Sequence, residues 1–141
     1  MPLSNIDNLY AGRGLRNQGS PQDSGAIAKT SSPATESVTV PANADGTQPI
    51  VDHGTVCLAI TSPNASAVMA GADIYASDGA HTEYLGTFPP TIGAVAGQGG
   101  TWEMEVFSSL VNITNIVTLS VALTTTGNNN VTMEIRFNYG V

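Results

Sequence analysis

From Glu36 onward, hydrophobic and polar positions alternate in short runs of period two. "GTVCLAIT" (54–61) sets Val56, Leu58 and Ile60 against Thr55, Cys57, Ala59 and Thr61. "IVTLSVALT" (116–124) repeats the pattern with Val117, Leu119, Val121 and Leu123, and "VTMEIRFNY" (131–139) with Val131, Met133, Ile135, Phe137 and Tyr139. Successive side chains of a strand point to opposite faces, so each run offers one face to a core and the other to water. "ESVTV", "HTEYLGTF" and "TWEMEVF" read as further strands, the last with Trp102, Met104 and Val106 opposite Glu103 and Glu105. "SAVMAGADIYAS" reads as a strand bent or bulged at Gly71. Turn residues divide the runs: Pro63-Asn64, Asp78-Gly79, the stretch "PPTIGAVAGQGG", and "TTGNNN", whose composition suits a hairpin loop. No segment carries a helical period. Seven or eight strands at this spacing predict an all-β domain: an antiparallel β-sandwich, jelly-roll or immunoglobulin-like, closed by a long C-terminal hairpin.

The stretch ahead of Glu36 has a different texture. From Leu3 to Thr35 apolar residues occur singly between Gly12, Gly14, Gly19, Pro21, Gly25 and Pro33. Ordering a backbone costs about 1–2 kcal/mol per residue, and a segment with so little surface to bury does not recover it alone. The expected organisation is an extended N-terminal arm over residues 1–35 that orders only against something else, followed by a sandwich domain over residues 36–141.

Charge sharpens this division. The 141 residues carry a formal net charge of -7, and only 11% of them are charged. Arg13, Arg16 and Lys29 stand against Asp7 and Asp23 in the first 35 positions, whereas Arg136 stands alone against nine acids from Glu36 on. A body with one arginine cannot release the counterions of a polyphosphate, which argues against nucleic acid, and the same repulsion argues against an anionic membrane surface. No apolar run approaches the roughly 20 residues of a spanning helix. The opening residues lack the pattern of a secretory signal, so the expectation is synthesis in a cytoplasm.

Residues that could carry chemistry are sparse. His53 and His81 each neighbour an acid, in "DHG" and "DGAHTE". Neither spacing supplies the three or four convergent ligands of a metal site or the members of a triad. Glu103 and Glu105 share one strand face, which superficially suits two-carboxylate glycoside chemistry, but that chemistry needs carboxyl groups reaching the bond from different elements. "AGRGLRNQG" and "VAGQGG" are glycine-rich without the strand, helix and Gly-Lys-Ser/Thr of a phosphate loop. Cys57 is the one cysteine and reads as a strand residue. The expectation is a protein that is not an enzyme, with no catalytic residue, no metal and no cofactor.

In organisation, with "NLYAGRGLRNQGSPQDSGAIAKTSSPATES" ahead of an acidic, lysine-poor β-rich body, the chain resembles the small cement or decoration proteins of tailed-bacteriophage heads. The resemblance spans the chain and rests on no diagnostic motif. It implies a structural virion protein, made in the host cytoplasm, that binds the major capsid protein on the capsid exterior as a homo-oligomer, a dimer or trimer. Tyr10, Arg13, Leu15 and Arg16 would then be the partner-binding residues. The alternative is a carbohydrate- or receptor-binding sandwich of a phage tail or adhesin, in which Tyr75, Tyr84 and Trp102 stack on sugar. Burial of Trp102 in the core would favour the first reading.

Overall fold

The computed structural model describes residues 21–51, 53–61, 67–88, 100–107, 115–127 and 130–140, with only the backbone described for 67–70, 107 and 127. Its strands are β1 (Gln22–Asp23), β2 (Ile27–Lys29), β3 (Ala34–Thr39), β4 (His53–Thr61), β5 (Ala67–Ser77), β6 (Thr82–Phe88), β7 (Gly100–Phe107), β8 (Thr118–Gly127) and β9 (Val131–Gly140). Among the described residues all pairings are antiparallel. One sheet, A, runs β1-β9-β4-β7, with β2 also on β9, and the other, B, runs β3-β8-β5-β6. Taken as one interrupted strand, β1 and β2 make eight strands ordered 1-8-3-6 and 2-7-4-5, a jelly roll. The immunoglobulin-like option, with seven strands in a different distribution, is thereby excluded.

The alternation seen in the sequence decides which face of each strand is inside. Val56, Leu58 and Ile60 of β4 and Met133, Ile135, Phe137 and Tyr139 of β9 join Leu119, Val121 and Leu123 of β8 and Ala72, Ile74 and Phe88 of sheet B in one buried cluster. Gly71 marks the expected irregularity, because the β5–β8 register shifts between Met69 and Gly71. A second shift, between Ile74 and Tyr75, leaves Leu85 as the extra residue of β6, and its side chain packs against the core. Bulges of this kind re-aim the side chains beside them. The Asp78-Gly79 turn forms as expected: Gly79 has φ 96°, and Asp78 Oδ1 accepts the Ala80 and His81 amides at 2.8 and 2.6 Å.

Two expectations are corrected. β8 and β9 are not a hairpin, since β8 pairs with β3 and β5 whereas β9 pairs with β4, β1 and β2. Each has a complete apolar face, and placing them in opposite sheets lets both faces be buried in the shared core. Alternation specifies a face and says nothing about the neighbour.

The second correction concerns the boundary at residue 36, because part of the segment expected as an extended arm separate from the sandwich pairs within this chain's own sheet A. Gln22 and Asp23 pair with Phe137 and Arg136, Ile27–Lys29 pair with Val131–Met133, and β3 already begins at Ala34, which is fully buried. The reasoning from apolar content held in one respect, because among the described residues none before Ala34 belongs to the buried cluster. It omitted the open edge of β9, whose backbone groups gain partners from any strand laid along them.

Candidate functional site

Tyr10, Arg13, Leu15 and Arg16, the expected partner-binding residues, lie outside the described residues. His81 sits in the β5–β6 turn with Nδ1 3.5 Å from Asp78 Oδ2, so it serves the turn. Among the described residues no group of three or more His, Cys, Asp or Glu is arranged to hold a metal ion. Trp102 lies opposite Leu58 on the inner side of sheet A and packs, partly buried, against the core. The close approach of its ring to the Gly100 backbone leaves no room for a Cβ there. It therefore cannot belong to a platform with Tyr75 and Tyr84.

Those two tyrosines meet on the outer face of sheet B. Register places Tyr75 opposite Tyr84 and Asp73 opposite Thr87, and on the other side of β5 it places Tyr75 opposite Ser120 and Ser77 opposite Thr118. Ser37 and Thr39 of β3 extend the same rows. The tyrosine rings meet edge to face, with centroids 5.9 Å apart and planes at 64°. Tyr84 is 53% exposed, yet it is held: its hydroxyl shares a short hydrogen bond with Thr87 Oγ1, and Thr87 Oγ1 donates to Asp73 Oδ1 at 2.6 Å. A wet aromatic tip fixed on two paired strands, in a field of small hydroxyls, is a preorganised contact surface. The bulge at Leu85 creates it, because without the extra residue β6 would keep one parity and Tyr84 and Thr87 could not both face out.

The outer face of sheet A is charged instead. Arg136 Nη2 and Nε donate to Asp23 Oδ2 at 2.7 and 3.1 Å. Beside them a depression of about 130 Å³ is lined by Cys57, Ala59, Thr101, Glu134 and Arg136. Its volume is well under the roughly 300–1,000 Å³ of a small-molecule site. The Arg136 guanidinium, with the Gly25 amide, holds the Asp23 carboxyl below the usual carboxylate range. Asp23 in turn pushes the Glu134 carboxyl up, by hydrogen bonding and by repulsion. Burial, followed by the nearby Glu103 carboxylate, pushes the Cys57 thiol up, so the thiolate needed for nucleophilic chemistry is suppressed.

These directions set a pH dependence for the attachment of β1. A depressed carboxyl contributes stability above its unfolded value, about 3.9 for Asp, and loses it as pH falls through the folded value. Glu134 has the opposite sign, contributing below its unfolded value of about 4.3 and losing that contribution as pH rises through the raised folded value. Around this pair stand Arg136 on β9, Cys57 on β4 and Glu103 on β7. Acidification should first relieve the repulsion at Glu134, then release Asp23 as pH falls through its lowered folded value. The Ser24 amide, bonded to the Ile135 carbonyl at 3.0 Å, and the Ile135 amide, bonded to Ser24 Oγ at 2.9 Å, should lose hydrogen-exchange protection there while Leu58 and Val121 keep theirs. Retained protection at both amides would contradict this linkage.

No protein-family model and no curated protein sequence matches the chain. Among solved structures it is similar to the K3 cleaved adhesin domain of Lys-gingipain from Porphyromonas gingivalis, at 11% identity and TM-score 0.48, over 82% of this chain and 74% of that one. It is also similar to CBM32-1 from a family 31 glycoside hydrolase of Clostridium perfringens, at 16% identity and TM-score 0.47, over 84% and 78%. A third is the carbohydrate-binding module CBM6cm-2 from Cellvibrio mixtus lichenase 5A in complex with cellotriose, at 12% identity and TM-score 0.40, over 89% and 93%.

Proposed function

We propose that this chain is a non-catalytic attachment module that recognises an extended, neutral, hydroxyl-rich partner, a glycan, across the outer face of sheet B. The observation that supports this is the exposed but immobilised Tyr84, set edge-on to Tyr75 and tied through Thr87 to Asp73. A sugar ring lays its C–H face on an aromatic ring and its hydroxyls on neighbouring polar groups, and Asp73, Thr87 and Ser120 supply those. The two cations among the described residues, Lys29 and Arg136, are each paired with a carboxylate at 2.7 Å and belong to sheet A. With Asp73 as the charged group of the face, uronic or sialic acids are poor ligands. Tyr84→Ala should weaken binding to neutral polysaccharide about tenfold, the scale of losing one exposed aromatic anchor, with an unchanged melting temperature. Affinity electrophoresis against neutral and uronic polysaccharides reads this directly, and equal retardation of wild type and variant would overturn the reading.

A second reading, structural attachment to the exterior of a phage capsid through Tyr10, Arg13, Leu15 and Arg16, is favoured by the inward placement of Trp102 and by the three bases gathered before residue 36. On that reading Arg13→Glu with Arg16→Glu abolishes co-sedimentation with purified particles, and Tyr84→Ala leaves it intact. Unchanged co-sedimentation of the double variant would exclude those arginines.

A further inference from the structure

The segment over β1 and β2 is secured differently from every other strand described. It pairs through five residues in two pieces on the outer edge of β9. Between the pieces, Gly25 at φ 71° breaks the ladder. It contributes nothing to the buried cluster, and its largest apolar side chain, Ile27, is 38% exposed. It is held by a short ladder, by Ser24 on Ile135, by the Asp23–Arg136 pair, and by Lys29, which pairs with Glu36 and donates to the Thr35 carbonyl at 2.9 Å. The Asp23–Arg136 pair faces solvent and contributes about 0–1 kcal/mol, whereas the Lys29–Glu36 pair is mostly buried, with side chains 20% and 11% exposed. Because no residue of the strap belongs to the core cluster, opening breaks these pairs and the ladder and displaces no core side chain.

Opening leaves β9 with a long bare edge, behind which Val131, Met133, Ile135 and Phe137 are buried. Bare edges recruit strands. The strand that matches this one in register and charge is the strap itself, since Asp23 meets Arg136 and Ser24 bonds both polar groups of Ile135. The pivot is also defined. Ser32 is clamped to β8, its Oγ accepting from the Thr125 amide at 3.0 Å and donating to the Thr125 carbonyl at 3.1 Å. Lys29 is the last residue on β9, which leaves exposed Thr30 and Ser31 as the hinge between the sheets.

We infer that two copies of this chain associate by exchanging straps, residues 22–29 of each lying on β9 of the other. Every contact of the closed molecule re-forms across the pair, so the exchange costs only association entropy. The two-fold arrangement closes, because each copy gives one strap and receives one. The short hinge favours exchange, since a short connection gains from being straightened. This inference is independent of the glycan reading, because the strap lies on sheet A and the tyrosine face on sheet B.

The test is a disulfide between registered partners. Asp23 and Arg136 are opposite residues on adjacent antiparallel strands, within the spacing that a disulfide bridges. Asp23→Cys with Arg136→Cys, in a Cys57→Ser background that removes the thiol opposite Arg136, is oxidised at several protein concentrations, denatured and run without reductant. Exchange gives a covalent dimer whose share rises with concentration and is concentrated in the dimer fraction from gel filtration. Insertion of Gly-Ser-Gly-Ser after Thr30 should lower that share several-fold by letting each strap return to its own β9. Should oxidation disturb folding, the unsubstituted chain is assayed by mixing long-tagged and untagged copies after brief exposure to pH 3, with hybrid dimers expected. Crosslinks confined within single chains at every concentration, or mixing that yields no hybrids, would overturn the inference.

Discussion

Replacing Phe137 with alanine is expected to remove about 3–5 kcal/mol of stability and to lower the melting temperature by roughly 10–20 °C. Phe137 is fully buried near the middle of the core. Its ring stacks on Tyr139, with centroids 5.2 Å apart and planes at 25°. On its other side it covers Gly54, where a Cβ would stand 2.9 Å from Cζ of Phe137, closer still to Cε1, and 3.2 Å from the Asn138 carbonyl. Gly54→Ala should therefore be destabilising in its own right, by about 1–3 kcal/mol, because the obstructing atoms are a buried ring and backbone with nowhere to go. The two positions form one packing unit. Gly54→Ala combined with Phe137→Leu should cost less than the sum of the single changes, with a coupling of about 0.5–3 kcal/mol, since the smaller side chain gives the new methyl room. Urea unfolding of the four proteins measures this cycle, and strict additivity would show that the glycine is not there for the ring.

Removing the strap is the second large effect. A chain begun at residue 34 loses β1 and β2, the partner of Arg136 and the partner of Glu36. Backbone hydrogen bonds net about 0.5–1.5 kcal/mol each, so the missing ladder amounts to a few kcal/mol, measured against a chain begun at residue 21. The larger consequence is in solution behaviour: β9 becomes a bare edge, and self-association should climb steeply with concentration. Sedimentation velocity of the two truncated chains separates the outcomes. If the shorter chain is as stable and as monodisperse as the longer, the strap contributes nothing to the fold.

The expectation that residues before 36 form a separate arm turned on a property that composition does measure, the scarcity of buriable side chains. From Gln22 on the inference failed, because β9 offers hydrogen bonds that require no apolar residue in return. Gln22, Asp23, Ser24 and Lys29 are ordinary polar residues in the sequence, and they acquire their roles only once Phe137, Arg136, Ile135 and Glu36, respectively, are beside them. The tyrosine face was legible only in part. Tyr75 and Tyr84 stand out as aromatics on strands, whereas the bulge that turns Tyr84 and Thr87 to one side depends on Leu85 slipping inward, and nothing in "HTEYLGTF" announces which residue does so. Trp102 shows the reverse: its alternation with Glu103 and Glu105 already put it on the inner face, and the structure places it there.

The chain's own order of residues settled that it is built of strands from residue 36 on, which side of β4, β7, β8 and β9 is dry, where the Asp78-Gly79 turn falls and that β5 is irregular near Gly71. Those are local matters, fixed by a period of two and by which residues tolerate a positive φ. Which strands lie side by side, that β8 and β9 separate into different sheets, and that residues 22–29 complete the edge of β9 were decided only by the folded whole. Strand pairing is made by backbone groups that every residue carries alike, so neighbours are chosen by how two apolar faces close on each other and by which edges are left to cover.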